Sequence, residues 1–170
     1  FSYLALMCGL MLPPSGQGAS PTAAPPAKAT MDIFNVALPD LDNKPRKLSE
    51  WRGKILVVNF WATWCGPCRD EMPEFMQLQH QYRDKGVQFV GIAVDNPQAA
   101  ADFVKKMAIN YPILQAEEVG LEMMPLAGNS FGGLPFTFIA NRDGKIVATA
   151  PGRIAKKRLE SALQPLLAPK

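Results

Sequence analysis

The chain has 170 residues, 48% of them hydrophobic and 19% charged, and carries a formal net charge of +3. A chain of this length and composition is expected to form one globular domain with a sizeable core. The small positive charge argues against nucleic-acid binding, because nucleic-acid-binding domains concentrate far more basic residues on one face.

The first twelve residues are uncharged and almost wholly apolar, and a pair of prolines ends the run. This segment resembles the apolar region of a secretory signal peptide, with small residues that suit cleavage after Gly18 or Ser20. Residues 15–30 are rich in Pro, Ala, Gly and Ser, which predicts a flexible linker. We therefore expect residues 1–30 to be a signal peptide or anchor remnant plus linker, and residues 31–170 to be the folded domain.

Two alternatives for this segment stay open. One is an uncleaved membrane anchor, which would need about 20 apolar residues. The other is lipidation of Cys8, although Met7 occupies the preceding position, where a small residue is expected. All three interpretations predict export to a periplasmic or other extracytoplasmic compartment, and two of them predict attachment to the inner membrane.

The folded domain is expected to open with a β-hairpin. Residues 33–37 alternate loosely between apolar and polar types, which predicts a strand. Residues 39–43 are turn-like, and residues 44–48 are expected to return as a second strand. Ser49 is expected to cap a short helical turn after the hairpin.

Two cysteines, Cys65 and Cys68, lie between a predicted strand and a predicted helix. Residues 54–60 form a nearly continuous apolar run, typical of a strand that is buried on both faces. Apolar residues then recur at helical spacing over residues 69–82, with Gly86 as the expected stop. The cysteines therefore stand at a strand-to-helix junction.

The position and spacing of the cysteines favour redox chemistry. Two cysteines separated by two residues can close a disulfide within a tight turn, and a thiolate readily opens such a bridge. The helix N-terminus favours negative charge on Cys65, so we expect Cys65 to be the exposed attacking sulfur and Cys68 the more buried resolving one. Gly66 supplies backbone freedom, and Pro67 is tolerated because first-turn amides lack helical partners.

Three other uses of the pair are disfavoured. A structural zinc site needs four ligands, and the chain offers three Cys and one His, with Cys8 in the segment expected to be removed. Haem attachment needs His directly after the second cysteine, where this chain has Arg69. Two inert core cysteines would not require Gly-Pro between them.

The rest of the chain predicts an alternation of strands and helices. Residues 87–94 form a second buried strand, which a right-handed crossover places parallel to the first. Asn96-Pro97 is a cap followed by a first-turn proline, and opens a helix. Residues 111–114 are expected to form a short strand and residues 117–126 a short helix.

The C-terminal part predicts a hairpin and a final helix. The strands over residues 136–140 and 145–150 flank the turn sequence Asn-Arg-Asp-Gly. The final helix carries one apolar stripe, formed by Leu159, Ala162, Leu163 and Leu166. A basic cluster in the same region is more typical of a solvated helix face than of contact with anionic lipid or an acidic partner; its members are Arg153, Lys156, Lys157 and Arg158.

Three motifs in order resemble the thioredoxin superfamily. Residues 60–68, FWATWCGPC, are similar to its active-site stretch. Residues 133–138, GLPFTF, are similar to its substrate-binding turn, in which Pro135 corresponds to a cis-proline. Pro73 stands where the family kinks its active-site helix.

Two details are similar to the TlpA-like branch, the extracytoplasmic thiol–disulfide reductases that include cytochrome-c-maturation members. Asn59 replaces the buried Asp of thioredoxin, and Glu71 stands three residues after the second cysteine. This resemblance implies an α/β, thioredoxin-like fold with a central mixed β-sheet flanked by helices. It also implies an N-terminal β-hairpin and a central αβ insertion.

The resemblance implies a reductase of protein disulfides, with Cys65, Cys68 and Glu71 as catalytic residues. It implies that the substrate lies in a groove formed by Trp64, Gly66, Pro67, Leu134 and Pro135. A membrane electron donor would re-reduce the pair, and neither a cofactor nor a metal is implied. From the residues alone, Glu71 could equally be a solvated helix carboxylate.

Two competing functions stay open, and a third, a peroxiredoxin, is disfavoured by the tight CxxC motif with Gly-Pro between its cysteines. One is a disulfide oxidase or isomerase, which the thioredoxin-type Gly-Pro dipeptide and Leu134 disfavour. The other is a copper-delivery module, which needs a histidine near the thiols, whereas His80 lies about three helical turns beyond Cys68. The methionines are expected to fill the core rather than to bind metal; these are Met72, Met76, Met107, Met123 and Met124.

Overall fold

The computed structural model describes residues 32–168. The predicted signal peptide or anchor, its linker and Cys8 lie outside the described residues. The strands are β1 (Leu38–Pro39), β2 (Pro45–Arg46), β3 (Ile55–Trp61), β4 (Val87–Ala93), β5 (Ile113–Gln115), β6 (Phe136–Ala140) and β7 (Ile146–Pro151). The α-helices are α1 (Gly66–Tyr82), α2 (Pro97–Met107), α3 (Val119–Met123) and α4 (Lys156–Leu167).

Five strands form one mixed sheet in the order β5-β4-β3-β6-β7. β3 pairs in parallel with β4, and β4 with β5, whereas β6 runs antiparallel to both β3 and β7. β1 and β2 form a separate two-stranded hairpin. The predicted α/β fold with a central mixed sheet is confirmed.

β3 is buried along its whole length because the sheet is covered on both faces. Val57 and Trp61 face one apolar cluster, which contains residues of α1, α2 and α4. Val58 and Phe60 face a second cluster, which contains α3 and the N-terminal segment. The uninterrupted apolar sequence of β3 follows from this double coverage.

The predicted N-terminal strand is wrong. Residues 33–35 form a turn, in which the Phe34 N–H donates to Asp32 Oδ1 over 3.0 Å. Ile33 and Phe34 are both buried by this turn, whereas an extended strand would place neighbouring side chains on opposite faces. The hairpin is present, but its strands are only two residues long.

Several other boundaries differ from the sequence-based expectation. Ser49 is not a cap, because the 3₁₀ turn Leu48–Trp51 begins one residue earlier with Lys47 as its N-cap. The strand expected at 111–114 lies at Ile113–Gln115, and the helix expected at 117–126 is shorter. It ends at Met123 and continues as a 3₁₀ turn containing Pro125, which has no backbone N–H to donate to an α-helical hydrogen bond.

The α2 cap and the C-terminal hairpin match their predictions closely. The Asn96 side chain accepts from the N–H groups of Gln98 (3.0 Å) and Ala99 (3.2 Å), and Pro97 occupies the first turn. β6 spans the predicted residues 136–140, and β7 is displaced by one residue.

Within residues 32–168, no helix combines the length and hydropathy needed to span a bilayer.

Candidate active site

The two central cysteines form a disulfide at the start of α1. Their sulfurs are 2.00 Å apart and their Cα atoms 5.3 Å apart. Cys65 is the N-cap residue, and its Sγ accepts the Cys68 backbone N–H over 3.3 Å. Cys65 is only 6% exposed, so the expectation of an exposed sulfur is wrong; Cys68 is fully buried, which leaves Cys65 the more accessible of the two.

The sheet brings Pro135 to the same edge as the cysteines. Phe136 pairs with Phe60, so Pro135 lies across from the end of β3, a few residues before the Cys65–Cys68 bridge. The Leu134–Pro135 peptide bond is cis, as the family resemblance implied. Leu134 is half-buried and packs against both apolar clusters.

The other residues expected in the groove are the sequence neighbours of Cys65 and Cys68. Trp64, directly before Cys65, exposes 69% of its surface. Gly66 is half-buried and Pro67 is exposed at the first turn of α1. Pro73 lies within α1, at the predicted helix position.

Glu71 is fully buried one turn after Cys68, so the interpretation as a solvated helix carboxylate is wrong. Its Oε1 accepts from Asn59 Nδ2 at 2.8 Å, and its Oε2 accepts from the Ile154 backbone N–H at 3.0 Å. Burial raises the pKa of Glu71 to about 7, against the lowering effect of these two hydrogen bonds and of Arg153. A carboxyl group with this pKa can exchange a proton near neutral pH.

Asn59 links Glu71 to the opposite strand. Its Nδ2 also donates to Thr137 Oγ1 over 3.1 Å, and the two residues are direct partners in the β3–β6 register. Asn59 is 1% exposed, and Thr137 is fully buried. The position of Asn59 inside an apolar run is a sequence signal that could have indicated a buried polar contact, although it does not identify Glu71 as the partner.

Tyr111 is a second residue near Glu71 that the sequence did not single out. It is 6% exposed, and its hydroxyl has no hydrogen-bond partner among the described residues. Burial raises the pKa of Tyr111, and the negative charge of Glu71 raises it further. The tyrosine hydroxyl and the glutamate carboxyl thus influence each other electrostatically.

The loop before Pro135 presents an exposed aromatic residue. Phe131 is 99% exposed, four residues before Pro135. The loop is held by Asn129, whose Nδ2 donates to the Gly133 carbonyl over 2.9 Å and whose backbone N–H donates to the Met124 carbonyl over 3.0 Å. Phe131 therefore projects from an anchored loop that leads directly along the chain to Leu134 and Pro135 of the predicted groove.

The methionines only partly follow the core interpretation. Met72, Met123 and Met124 are fully buried, whereas Met76 and Met107 are half-buried and line an open groove together with His80. Along α1, His80 lies about 18 Å beyond Cys68. Within residues 32–168, no cluster of three or more His, Cys, Asp or Glu side chains could hold a metal ion.

Comparison with known proteins places this geometry in a family. The sequence profile of the AhpC/TSA family matches residues 29–149. The chain is 35% identical over 131 residues to the thiol-disulfide oxidoreductase ResA of Bacillus cereus, covering 76% of this chain and 73% of that protein. The chain belongs to the AhpC/TSA family. Within that family it is a thiol–disulfide oxidoreductase, and the resemblance to TlpA-like thioredoxins is confirmed.

Another relative and two solved structures are also similar to this chain. ResA of Geobacillus kaustophilus is 30% identical over 128 residues, covering 75% of this chain and 71% of that protein. The crystal structure of a thiol:disulfide interchange protein DsbE from Chlorobium tepidum aligns with a TM-score of 0.71 at 29% identity, over 78% of this chain and 93% of that one. StoA from Bacillus subtilis, at 22% identity and a TM-score of 0.59, covers 74% and 93% and supports the fold alone.

Proposed function

We propose that this family member works as an extracytoplasmic reductase of protein disulfides. The observation that carries the proposal is a disulfide at a helix N-terminus, with one cysteine slightly exposed, the other fully buried, and a buried carboxyl one turn beyond. Such a site can pass two electrons to a partner disulfide and take up the proton that the exchange releases.

In the first step, the Cys65 thiolate of the reduced protein attacks one sulfur of the partner's disulfide. A mixed disulfide forms, and the partner's other sulfur leaves as a thiolate. The position of Cys65 as the N-cap of α1 supports this role, because the helix N-terminus stabilises negative charge. Trp64, Gly66, Pro67, Leu134 and Pro135 would hold the partner's extended segment beside the bridge.

In the second step, Cys68 attacks Cys65 Sγ. Cys68 first gives its proton to the Glu71 carboxylate, and its thiolate then displaces the partner's thiolate from Cys65. The partner leaves reduced, and the Cys65–Cys68 disulfide remains. The burial of Glu71 and its pKa near 7 support this proton transfer, because a carboxyl with an ordinary pKa would be a weaker base.

The proposed location and partners depend on the sequence rather than on the site. The apolar N-terminal segment supports export, with cleavage, lipidation at Cys8 or membrane anchoring as its alternative fates. Because exported proteins meet an oxidising environment, the pair would need a membrane electron donor to become reduced again. By analogy with the TlpA-like branch, apoproteins of c-type cytochromes are the substrate class to test first.

The direction of electron flow is tested by the reduction potential of the Cys65–Cys68 pair. The protein is equilibrated against a dithiol buffer, and tryptophan fluorescence reports the oxidised fraction because Trp64 adjoins the bridge. We expect a value below about −230 mV, in the range of reducing thioredoxins. A value near about −120 mV would instead identify an oxidase and overturn the proposed direction.

A Cys68→Ser variant tests the order of attack. It should accumulate a stable mixed disulfide with a protein substrate through Cys65, because residues 32–168 then contain no second cysteine to resolve it. The matched Cys65→Ser variant should trap little, since Cys68 is fully buried. Equal trapping by the two variants would contradict the assignment of Cys65 as the attacking residue.

A further inference from the structure

Three buried polar atoms beneath α1 have no hydrogen-bond partner among residues 32–168. They are Asn59 Oδ1, Trp61 Nε1 and Tyr111 Oη. The residues that carry them are 1%, 0% and 6% exposed, respectively. Buried polar groups in folded proteins are nearly always hydrogen-bonded, so three such atoms in one small region need a physical explanation.

The backbone around Gly91 brings these residues together. Asn59 pairs with Gly91 in the parallel register of β3 and β4. A Cβ atom at Gly91 would lie 2.5 Å from Ile113 Cδ1 and 2.9 Å from Trp61 Nε1, so the Ile113 side chain and the indole nitrogen both pack over this glycine. On the other side, the Gly91 N–H donates to the Pro112 carbonyl over 2.9 Å, which places Tyr111 one residue away.

The ring of Tyr111 points back towards the same face of the sheet. Its centroid is 6.1 Å from that of Phe89, which lies two residues before Gly91 and belongs to the apolar cluster under α1. Glu71 is a buried residue of α1 itself, accepts from Asn59 Nδ2, and interacts electrostatically with Tyr111. The Asn59 amide and Tyr111 thus lie near the Glu71 carboxyl, and the Trp61 indole N–H lies over Gly91, the strand partner of Asn59.

The donors and acceptors of the three groups complement one another through water. The indole N–H only donates, the Asn59 oxygen only accepts, and the tyrosine hydroxyl does both. A water molecule can donate twice and accept twice, and buried waters usually make about three hydrogen bonds to otherwise unsatisfied groups. We propose that at least one buried water molecule binds between Trp61, Asn59 and Tyr111, and joins Tyr111 to the hydrogen-bonded network of Glu71.

This water site would make Tyr111 and Trp61 positioning residues for Glu71. Asn59 Nδ2 already donates to Glu71, and a water on Asn59 Oδ1 would polarise that donor and strengthen its bond to the carboxylate. The other charged groups that act on Glu71 are Arg153, which favours the carboxylate, and Glu74, which disfavours it. The catalytic consequence rests on the proposed function, whereas the water site itself does not.

The first test is the stability of the oxidised Tyr111→Phe variant. If water satisfies the hydroxyl, its removal leaves that water short of a partner, and the folded-to-unfolded equilibrium constant should fall about three- to tenfold. If the hydroxyl is truly without a partner, its removal should leave the constant unchanged or raise it, which would overturn the proposal. Tyr82→Phe is the matched control, because its hydroxyl makes only two long contacts of 3.4 Å and its loss should matter little.

The second test observes the water directly. The Trp61 indole N–H should show a nuclear Overhauser cross-peak to a long-lived water in the oxidised protein, and Tyr111→Phe should weaken it. A Trp61 indole signal without any water cross-peak would contradict the site, whatever the stability data show. Trp51, which is also buried but belongs to the other apolar cluster, provides the reference signal.

The third test follows the Glu71 carboxyl by carbon-13 NMR during a pH titration of the oxidised protein. Tyr111→Phe should raise the pKa of Glu71, because the carboxylate loses part of its hydrogen-bonded support. An unchanged titration would exclude the link to Glu71. If Glu71 shifts as expected while the pH profile of mixed-disulfide resolution does not change, the water site stands and the role of Glu71 in the proposed function fails.

Discussion

At the scale of single residues, Glu71 decides how the site responds to pH. Its side chain has no exposed surface, and burial raises its pKa from 4.5 to about 7. A carboxyl group that is harder to ionise in the folded protein binds more protons there than in the unfolded chain between these two values. The free energy of unfolding should therefore decrease as the pH rises from about 4.5 to about 7, and the decrease ends above the folded pKa.

A Glu71→Gln variant should lose this pH dependence. The shift of the Glu71 pKa from 4.5 to about 7 corresponds to roughly 3 kcal/mol at most. Because glutamine does not ionise, the stability of the variant relative to the unmodified protein should be higher above pH 7 than at pH 5. Denaturant unfolding of the oxidised proteins at pH 5, 6, 7 and 8 measures this difference. Glu122→Gln, on the exposed side of α3, is the control and should follow the unmodified protein.

The sequence located Glu71 but could not predict its environment. Its spacing after Cys68 was visible, and so was the departure of Asn59 from thioredoxin. The contacts that bury it come from Asn59, twelve residues earlier, and from Ile154, 83 residues later. Pairings over such separations depend on how the sheet and the β7–α4 connection close, and local spacing carries no information about them.

At the scale of elements, α2 shows how local chemistry fixes a boundary. The Asn96 side chain accepts two backbone N–H groups, and Pro97 fills a position that needs no donor. The helix ends at Met107, and its C-cap Ala108 has a φ of 51°, in the left-handed region. Because the Asn96 cap and Pro97 are adjacent in the sequence, the N-terminus of this helix was predicted to the residue.

Replacing Asn96 with Ala should destabilise the domain by about 1 kcal/mol, because two first-turn amides lose their acceptor. Chemical unfolding of the oxidised protein, monitored by circular dichroism, measures the loss. Gln98→Ala, two residues later in the first turn, removes only an exposed side-chain hydrogen bond to Asp102 and serves as the comparison. A loss of equal size in both variants would show that the cap contributes nothing specific.

The hairpin and the N-terminal segment show where sequence patterns succeed and fail. β6 and β7 surround an Asn-Arg-Asp-Gly turn, in which Asn141 Oδ1 accepts two backbone N–H groups. This turn is specified by its own residues, so its position was predictable. Residues 33–37 alternate weakly between apolar and polar types, which suggested a strand, but the Asp32 side chain organises a turn there. Phe34 in this turn packs edge-on against Phe138, over a hundred residues away.

At the scale of the whole molecule, exposed aromatic side chains stand on both sides of the disulfide along the chain. Trp64 is 69% and Phe131 is 99% exposed, and large exposed apolar side chains near a site often mark a contact surface. Phe131 belongs to a loop that Asn129 anchors, so little conformational entropy is lost when a partner binds.

Phe131→Ser should therefore weaken the reduction of protein disulfides, raising KM about three- to tenfold, a loss of the order of a single apolar contact. The reduction of a small disulfide should not change, because such a substrate does not reach the loop. Val147→Ser on β7 is the control, since Val147 is 45% exposed but lies away from the groove. An equal effect of Phe131→Ser on both substrates would indicate damage to the redox pair instead of a lost contact.

The two edges of the five-stranded sheet differ in a way that bears on self-association. At the β5 edge, Asp40 forms a bridge with Leu114, and Gln115 Nε2 donates to the Asp40 carbonyl over 3.2 Å, so the N-terminal hairpin covers part of that edge. At the other edge, β7 has mostly exposed or half-exposed side chains and ends at Pro151, which has no N–H to donate. Among residues 32–168, β7 is thus the longer of the two edge strands and has no strand paired on its outer side. Strand addition between copies of the protein would therefore use β7, and Pro151 would interrupt the pairing at its end.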